Sequence, residues 1–364
     1  SGNGTHVTGH SATLSAGEDI GAVTDLATGA GTPVKLAVDA IGGLSSSGSQ
    51  RVVSVLNTGT TALSLGGGAL SLGSGSSAYI GTAGDLDVSA GLALAQGNLS
   101  LSAGGTLRLP TTAISTTGAV RLTGSTDVIT SGSGAAARDL PVSASSLVFR
   151  SGAAGGSTQL STAVGSLDAA LSGAGDLSVT NTGTLASTTL ATQDGHISAT
   201  SSTGLTASAV TAGGTSRHIT LTATAGDLIV GTVNAGSSGS LTLSAAQGSL
   251  SGASATLTAH DLNLIAGNGI GSGTTAFEVS VVQLSAQVTG TGGIHVNAGQ
   301  ALTLGNLSTH DGDIRITAAG PLTANALTAG HSGDVSLTST GGSVTLNQAY
   351  TQTGTDTSRA GLSL

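Results

Sequence analysis

Two pairs of aspartates have the spacing of carboxylates in a hydrolytic or calcium-binding site. Asp85 and Asp87 alternate along one short segment, and Asp311 and Asp313 flank Gly312 beside His310. Enzymes that cleave polysaccharides use such paired carboxylates as acid and base, beside basic groups and aromatic platforms for the sugar rings. Aspartates next to glycine also occupy turns, where they accept hydrogen bonds from local N–H groups. Because the chain has two Phe, two Tyr and no Trp, we favour the turn interpretation.

The other chemistry-bearing side chains also lack a catalytic or metal-binding pattern. Histidine occurs at eight scattered positions, which are His6, His10, His196, His218, His260, His295, His310 and His331. Only the first two have a metal-ligand spacing, and they fall in a segment with no helical pattern. Cysteine is absent, no nucleophile elbow joins a strand to a helix, and the calcium-binding Gly-Gly-x-Gly-x-Asp repeat is missing. We therefore expect no enzymatic activity, no metal and no cofactor.

The composition narrows the class of protein. Of 364 residues, 60 are Gly, 38% are apolar and 7% are charged, and the net charge is −9. Without clustered Lys and Arg, nucleic-acid binding is not expected. No apolar run approaches the length of a membrane span, so membrane insertion is not expected either. The aliphatic residues suffice for a narrow core repeated many times, whereas an aromatic-centred globular core is excluded.

The local elements are short strands. Segments that start with Gly-Asp and continue with alternating aliphatic and polar residues begin at Gly84, Gly175, Gly226, Gly312 and Gly333. A period of two predicts a strand with one apolar face, and Gly and Asp between segments predict turns. Two or three strands fit in a coil of about 20 residues. No segment has a convincing helical period, so essentially no helix is expected.

A long internal repeat predicts how these strands assemble. Residues 181–230 return at 297–346 with an offset of about 116, and a fainter copy precedes them. A stack of coils needs such a repeat, because each coil must present matching inward aliphatics to the next. We predict an all-β chain that forms one continuous parallel β-solenoid rod over residues 1–364. Its diverged super-repeats are expected at about 1–125, 126–250 and 251–364.

The two ends of the chain continue the same period. Joining Leu364 to Ser1 preserves the repeat within about two residues, and neither Ser1–Leu14 nor Gly361–Leu364 contains the charge or Pro that blunts an exposed sheet edge. The chain is therefore expected to be a segment of a longer covalent array or a subunit that stacks head to tail. The expected assembly interface comprises seven residues, which are Thr5, Val7, Leu14, Val344, Leu346, Leu362 and Leu364.

The repeats resemble the secreted exoproteins of the filamentous haemagglutinin type, which Gram-negative bacteria export by two-partner secretion. The resemblance rests on the units Gly312–Gly320 and Gly333–Gly342 and on the stretch from Gln159 to Gly183. It implies a right-handed parallel β-helix at the cell surface or outside the cell, used in adhesion, aggregation or biofilm. The sequence lacks a recognisable secretion domain at its start.

The expected function is structural. We expect a non-enzymatic β-helical filament whose partner is another copy of itself or the continuation of a longer chain. An alternative is an adhesin passenger or stalk whose Asn, Gln and Thr side chains bind surface glycans. A more distant alternative is a polysaccharide-active β-helix enzyme.

Overall fold

The fold comes from a computed structural model, and the chain divides into two compact units, Ser1–Thr180 and Asn181–Leu364. The residues that it describes are 5–25, 30–66, 70–89, 92–130, 139–152, 156–252, 256–331, 333–348, 351–352 and 362–363.

The strands of the first unit, with the strand that reaches its boundary, are β1 (Val7–Thr8), β2 (Ser11–Ala16), β3 (Ala22–Asp25), β4 (Ala30–Thr32), β5 (Val34–Ala37), β6 (Ala40–Ser46), β7 (Val52–Asn57), β8 (Leu63–Leu65), β9 (Leu70–Leu72), β10 (Ser77–Thr82), β11 (Leu86–Val88), β12 (Leu99–Ala103), β13 (Thr106–Leu109), β14 (Ile114–Ser115), β15 (Ala119–Gly124), β16 (Asp127–Thr130), β17 (Asp139–Ser143), β18 (Ser146–Ser151), β19 (Thr158–Ala163), β20 (Ser166–Ala174) and β21 (Leu177–Asn181).

The strands of the second unit are β22 (Leu185–Asp194), β23 (Ile197–Ser201), β24 (Leu205–Ala212), β25 (His218–Ala223), β26 (Leu228–Asn234), β27 (Ser240–Ala245), β28 (Ser249–Ser251), β29 (Thr256–Ala266), β30 (Gly269–Ile270), β31 (Phe277–Val288), β32 (Ile294–Ala298), β33 (Leu302–Thr309), β34 (Ile314–Ala318), β35 (Leu322–Ala329), β36 (Val335–Ser339), β37 (Val344–Leu346), β38 (Thr351–Gln352) and β39 (Leu362–Ser363).

These strands stack in parallel as a β-solenoid of about 14 turns, with roughly 21 residues per coil. No helix occurs among the described residues. The predicted all-β solenoid and its coil length are therefore confirmed, and its right-handed sense stays a prediction. The alternating segments form strands because each places aliphatics on the inward face and Ser, Thr or charged residues on the outward face.

In the first unit, two sheets run along the stack. One passes through β1, β5, β7, β10, β12, β15, β18 and β20, and the other through β2, β6, β8, β11, β13 and β16. The strands β3 and β4 instead form an antiparallel pair. This hairpin is an insertion into the first coil, which is longer than a later one. Leu14 pairs with Leu44, 30 positions on, whereas Leu99 pairs with Val120, 21 positions on.

In the second unit, matching aliphatics form continuous ladders. One ladder is Leu205, Leu228, Leu250, Ile270, Ile294, Ile314 and Val335. Each of these side chains is at most 2% exposed. Burial of such ladders supplies the stabilisation that a compact globular core would supply elsewhere.

The two phenylalanines are part of these inward faces. Phe149 is fully buried within β18 between Leu122 and Ala169 of the neighbouring coils, so a large side chain faces a small one. Phe277 is 1% exposed at the start of β31, opposite Val296. Tyr350 lies outside the described residues.

The internal repeat of the second unit corresponds to equivalent strands. The first residues of β23 and β24, Ile197 and Leu205, match the first residues of β34 and β35, Ile314 and Leu322, each 117 positions later. Strand lengths match as well, with five residues in β23 and β34 and eight in β24 and β35. The predicted boundaries of three super-repeats stay a prediction.

Candidate functional site

The first coil of the first unit presents partly uncovered aliphatics. Val7 in β1 pairs with Leu36, and Leu14 in β2 pairs with Leu44. Val7 and Leu14 are half-buried, whereas Leu36 and Leu44, one coil further in, are 0% and 1% exposed. Thr5 is exposed, and its hydroxyl lies 3.3 Å from that of Thr58. At β1 and β2, the next coil therefore covers the inward-facing side chains on one side and leaves their other side more exposed.

The last coils of the second unit show the same contrast. Val344 and Leu346 in β37 pair with Leu322 and Ala324. The two β37 side chains are half-buried, whereas their partners are 0% and 2% exposed. The aliphatic ladder thus continues into β37, and none of the described residues covers its outer side there to the degree seen one coil further in.

Two further residues of the expected interface are at the end of the chain. Leu362 lies in β39, whose backbone pairs with β36 opposite Val335. Leu364 lies outside the described residues. Their participation in one interface with Thr5, Val7, Leu14, Val344 and Leu346 stays a prediction.

The edge of the first unit carries ionic contacts that the sequence did not suggest. His10 Nδ1 lies 2.8 Å from Asp39 Oδ2, and Arg51 lies 2.5 Å from Glu18. Hydrogen bonds from Thr61 and then from His10 lower the pKa of Asp39. These partners are about 30 residues apart in the chain. They meet because the first coil is that long, as the pairing of Leu14 with Leu44 shows. The edge is therefore apolar on its inward face and charged at its rim.

The Gly-Asp turns use their carboxylates between coils. Asp85 Oδ1 accepts a hydrogen bond from the N–H of Thr106 at 2.7 Å. Equivalent bonds join Asp227 to the N–H of Ser249 at 2.8 Å and Asp313 to that of Asp334 at 2.9 Å. The expected bonding to local N–H groups is wrong for these carboxylates, because each acceptor reaches the start of the next strand, one coil later. Through these hydrogen bonds they connect adjacent coils.

Arginines lie beside two of these carboxylates and beside a further one, Asp194. Asp313 pairs with Arg315 at 2.7 Å and Asp194 with Arg217 at 2.5 Å, while Arg108 lies 3.9 Å from Asp85. Such half-exposed pairs contribute little to stability, up to about 1 kcal/mol each. They offset part of the repulsion that stacking aspartates coil upon coil would cause.

The outward face of the second unit carries an extended polar row. One residue of each successive strand contributes to it, in the order His218, Ser240, Asp261, Gln283, Thr303, Thr323 and Thr345. A second row next to it contains Thr220, Thr242, Asn263 and Ser285. A shallow cavity of about 310 Å³ lies over both rows. Hydroxyl and amide groups are thus repeated at the spacing between coils.

Two pairs of histidines come together although they are distant in the chain. The rings of His196 and His218 stack with centroids 4.8 Å apart, and His196 Nδ1 accepts the N–H of His218 at 2.9 Å. His310 and His331 meet edge to face at 5.0 Å. The members of each pair are 22 and 21 positions apart, which is one coil. This spacing could have predicted the two pairs from the sequence.

A second polar cavity, of about 250 Å³, lies beside β32 and β34 in the second unit. His295, Asn297, Arg315 and Thr317 line it together with the loop 272–276. Burial, and then the charge of Arg315, lowers the pKa of His295, while Asp313 acts in the opposite direction. These surroundings therefore favour the neutral form of the His295 ring.

Neither a cluster of metal-ligand side chains nor a membrane-crossing helix occurs in the described ranges. No group of three or more His, Asp or Glu residues there is placed to hold a metal ion. The same ranges contain no helix with the length and apolarity needed to cross a bilayer.

Comparison with known proteins gives no further assignment: no protein-family model, curated protein or solved structure matches the chain.

Proposed function

We propose that this chain is a non-enzymatic structural subunit or segment of an extracellular β-helical filament. In this proposal it lies at the surface of a Gram-negative bacterium or in a biofilm matrix. Copies of the chain, or successive segments of a longer one, join end to end through their terminal coils. The cellular location follows from the resemblance to filamentous haemagglutinin-type repeats.

The observation that carries the proposal is the uncovered inward face of the terminal strands. Leu14, Val344 and Leu346 continue ladders whose next members are at most 2% exposed, yet all three are half-buried. A further coil in the same register would cover these aliphatics and pair the open backbone edges. Contacts of this head-to-tail type do not close on themselves and generate filaments.

Electron microscopy and sedimentation of the purified chain test end-to-end stacking. The proposal predicts filaments whose abundance rises with protein concentration. Leu14→Lys and Leu346→Lys place a charge on the two edges and are expected to abolish them. Ile229→Lys is the matched control, because Ile229 is 46% exposed away from the edges, and it should assemble normally. A wild-type chain that stays monodisperse at high concentration would show that separate copies do not stack.

The outward polar rows of the second unit favour a second candidate, an adhesin passenger that binds surface glycans. Thr242, Asn263, Gln283 and Ser285 present hydroxyl and amide groups over a shallow cavity. Glycan-array binding by the monomeric Leu14→Lys variant, lost in Asn263→Ala with Gln283→Ala, would support it. No binding to any glycan by that variant would count against it.

A further inference from the structure

The β3–β4 hairpin of the first unit leaves the stack and lies over the outward face of a sheet. The chain is held at Ile20, whose N–H bonds to Val52 and whose carbonyl accepts the N–H of Ser54 at 2.7 Å. Gly21 then turns the chain with φ of 69°. A side chain at Gly21 would place its Cβ 2.6 Å from the Ser54 carbonyl oxygen, so the turn requires glycine.

A cavity of about 380 Å³ lies between this hairpin and the sheet. Thr24 and Asp25 line it from β3, and the sheet contributes residues of β12, β15 and β18. Ser100, Arg121 and Val148 occupy one outward row, because they are register partners on successive coils. Its volume is in the range of small-molecule sites.

The buried hydroxyl of Ser100 is unusual for an outward position. Ser100 is 2% exposed, and its Oγ has no hydrogen-bond partner. Leaving a hydroxyl buried and unpaired costs stability, so such groups mark a missing partner. A ligand in the cavity would supply that partner.

The cavity also contains both signs of charge. The guanidinium of Arg121 can form a bidentate contact with a carboxylate, whereas the carboxylate of Asp25 accepts hydrogen bonds at several lone pairs. Burial raises the pKa of Tyr79, next to Ser100 in the same row, and the charge of Arg121 opposes this shift. The charge of Arg121 is therefore close enough to influence Tyr79, beside Ser100 on this face of the sheet. A ligand that carries an anion for Arg121 and a hydrogen-bond donor for one of the acceptor positions of Asp25 matches both charges of the cavity.

We propose that this cavity binds a small hydroxycarboxylate, such as a sugar acid. The carboxylate contacts Arg121 and Ser100, the hydroxyl groups contact Asp25 and Asn98, and the carbon skeleton lies against Val148. A plain carboxylate lacks the donors for Asp25, and a neutral sugar lacks the anion for Arg121. The proposal is independent of filament assembly.

Calorimetric titration of the full chain with D-glucuronate, propionate and D-glucose tests the ligand class. Glucuronate is expected to bind. Propionate and glucose should bind at least about tenfold more weakly, because propionate lacks the hydroxyl groups and glucose lacks the carboxylate. If propionate binds as tightly as glucuronate, the site accepts any carboxylate and the hydroxycarboxylate assignment is overturned. If glucose binds as tightly, the role of Arg121 is overturned. No binding of glucuronate overturns the proposal.

Two variants give results that a merely structural role would not produce. Ser100→Ala should raise the thermal midpoint, because the unpaired hydroxyl is removed, yet weaken glucuronate binding about tenfold. Ser54→Ala is the matched control: its hydroxyl is also buried and unpaired on this face, but Ser54 does not line the cavity, so only the midpoint should rise.

Charge variants complete the test. Arg121→Gln should abolish glucuronate binding, whereas Arg108→Gln, in the other sheet, should leave it unchanged. Unchanged affinity in both Ser100→Ala and Arg121→Gln would overturn the proposed site even if glucuronate binds elsewhere on the chain.

Discussion

Truncation of one ladder residue should destabilise the second unit locally. Ile294 is fully buried in β32 between Ile270 and Ile314 of the neighbouring coils. Ile294→Ala removes three buried carbon groups, which is about 2.4 kcal/mol of transfer free energy at roughly 0.8 kcal/mol each. The cavity left behind brings the expected loss to about 2–5 kcal/mol. Ile229→Ala is the control, since Ile229 is 46% exposed, and it should change stability by about 0.5 kcal/mol or less.

Hydrogen exchange read by mass spectrometry locates this loss. Coils of a stacked array interact mainly with their nearest neighbours, so a local defect opens nearby coils first. Amides of β30, β31, β32 and β34 should lose protection in Ile294→Ala, while those of β23 and β24 should keep it. Uniform loss of protection across the second unit would refute coil-by-coil stability, and a loss as small as that of Ile229→Ala would refute the assigned ladder.

Two further predictions concern polar groups of the second unit. Asp227→Ala should lower the free energy of unfolding by about 1 kcal/mol, because the N–H of Ser249 loses its acceptor. Denaturant unfolding measures this change. The control Asp227→Asn keeps an acceptor oxygen and should retain most of the stability. Because burial lowers the pKa of His295 below its ordinary value of 6.5, the unfolded chain binds the proton more readily, so this residue should reduce stability as the pH falls below about 6.5. Thermal melts across that range should show a smaller decline in His295→Gln, and an identical decline would contradict the assignment.

The inward faces were predictable from sequence because their pattern is local. The alternation after Gly312 and Gly333 correctly marks β34 and β36, where Ile314 and Val335 face inward in register. The strand equivalence at 117 positions follows from the same requirement, since a coil with shifted aliphatics could not continue the ladder. The strands and the coil length therefore needed only local spacing, whereas the solenoid assignment also used the long internal repeat of residues 181–230 at 297–346.

The features of the cavity could not be predicted in the same way. Ser100 has the pattern of a hydrated outward residue, yet it is buried, and the cavity above it is lined by Thr24 and Asp25 of β3, about 75 positions earlier. The bond from Asp227 to Ser249 likewise depends on register. In the structure, the long first coil, in which Leu14 pairs with Leu44, contains the inserted segment.

The parallel register has a consequence for how the chain folds. Most pairings of the second unit join residues about 21 positions apart, as in Ile314 with Val335 and Leu241 with Leu262. Relative to 364 residues this separation is about 0.06, which is slightly below the range of rapidly folding helical bundles and well below that of ordinary β proteins. A coil can therefore add to the one before it as soon as its own residues are free. Such a chain is suited to fold progressively from one end, for example while it emerges from a narrow passage.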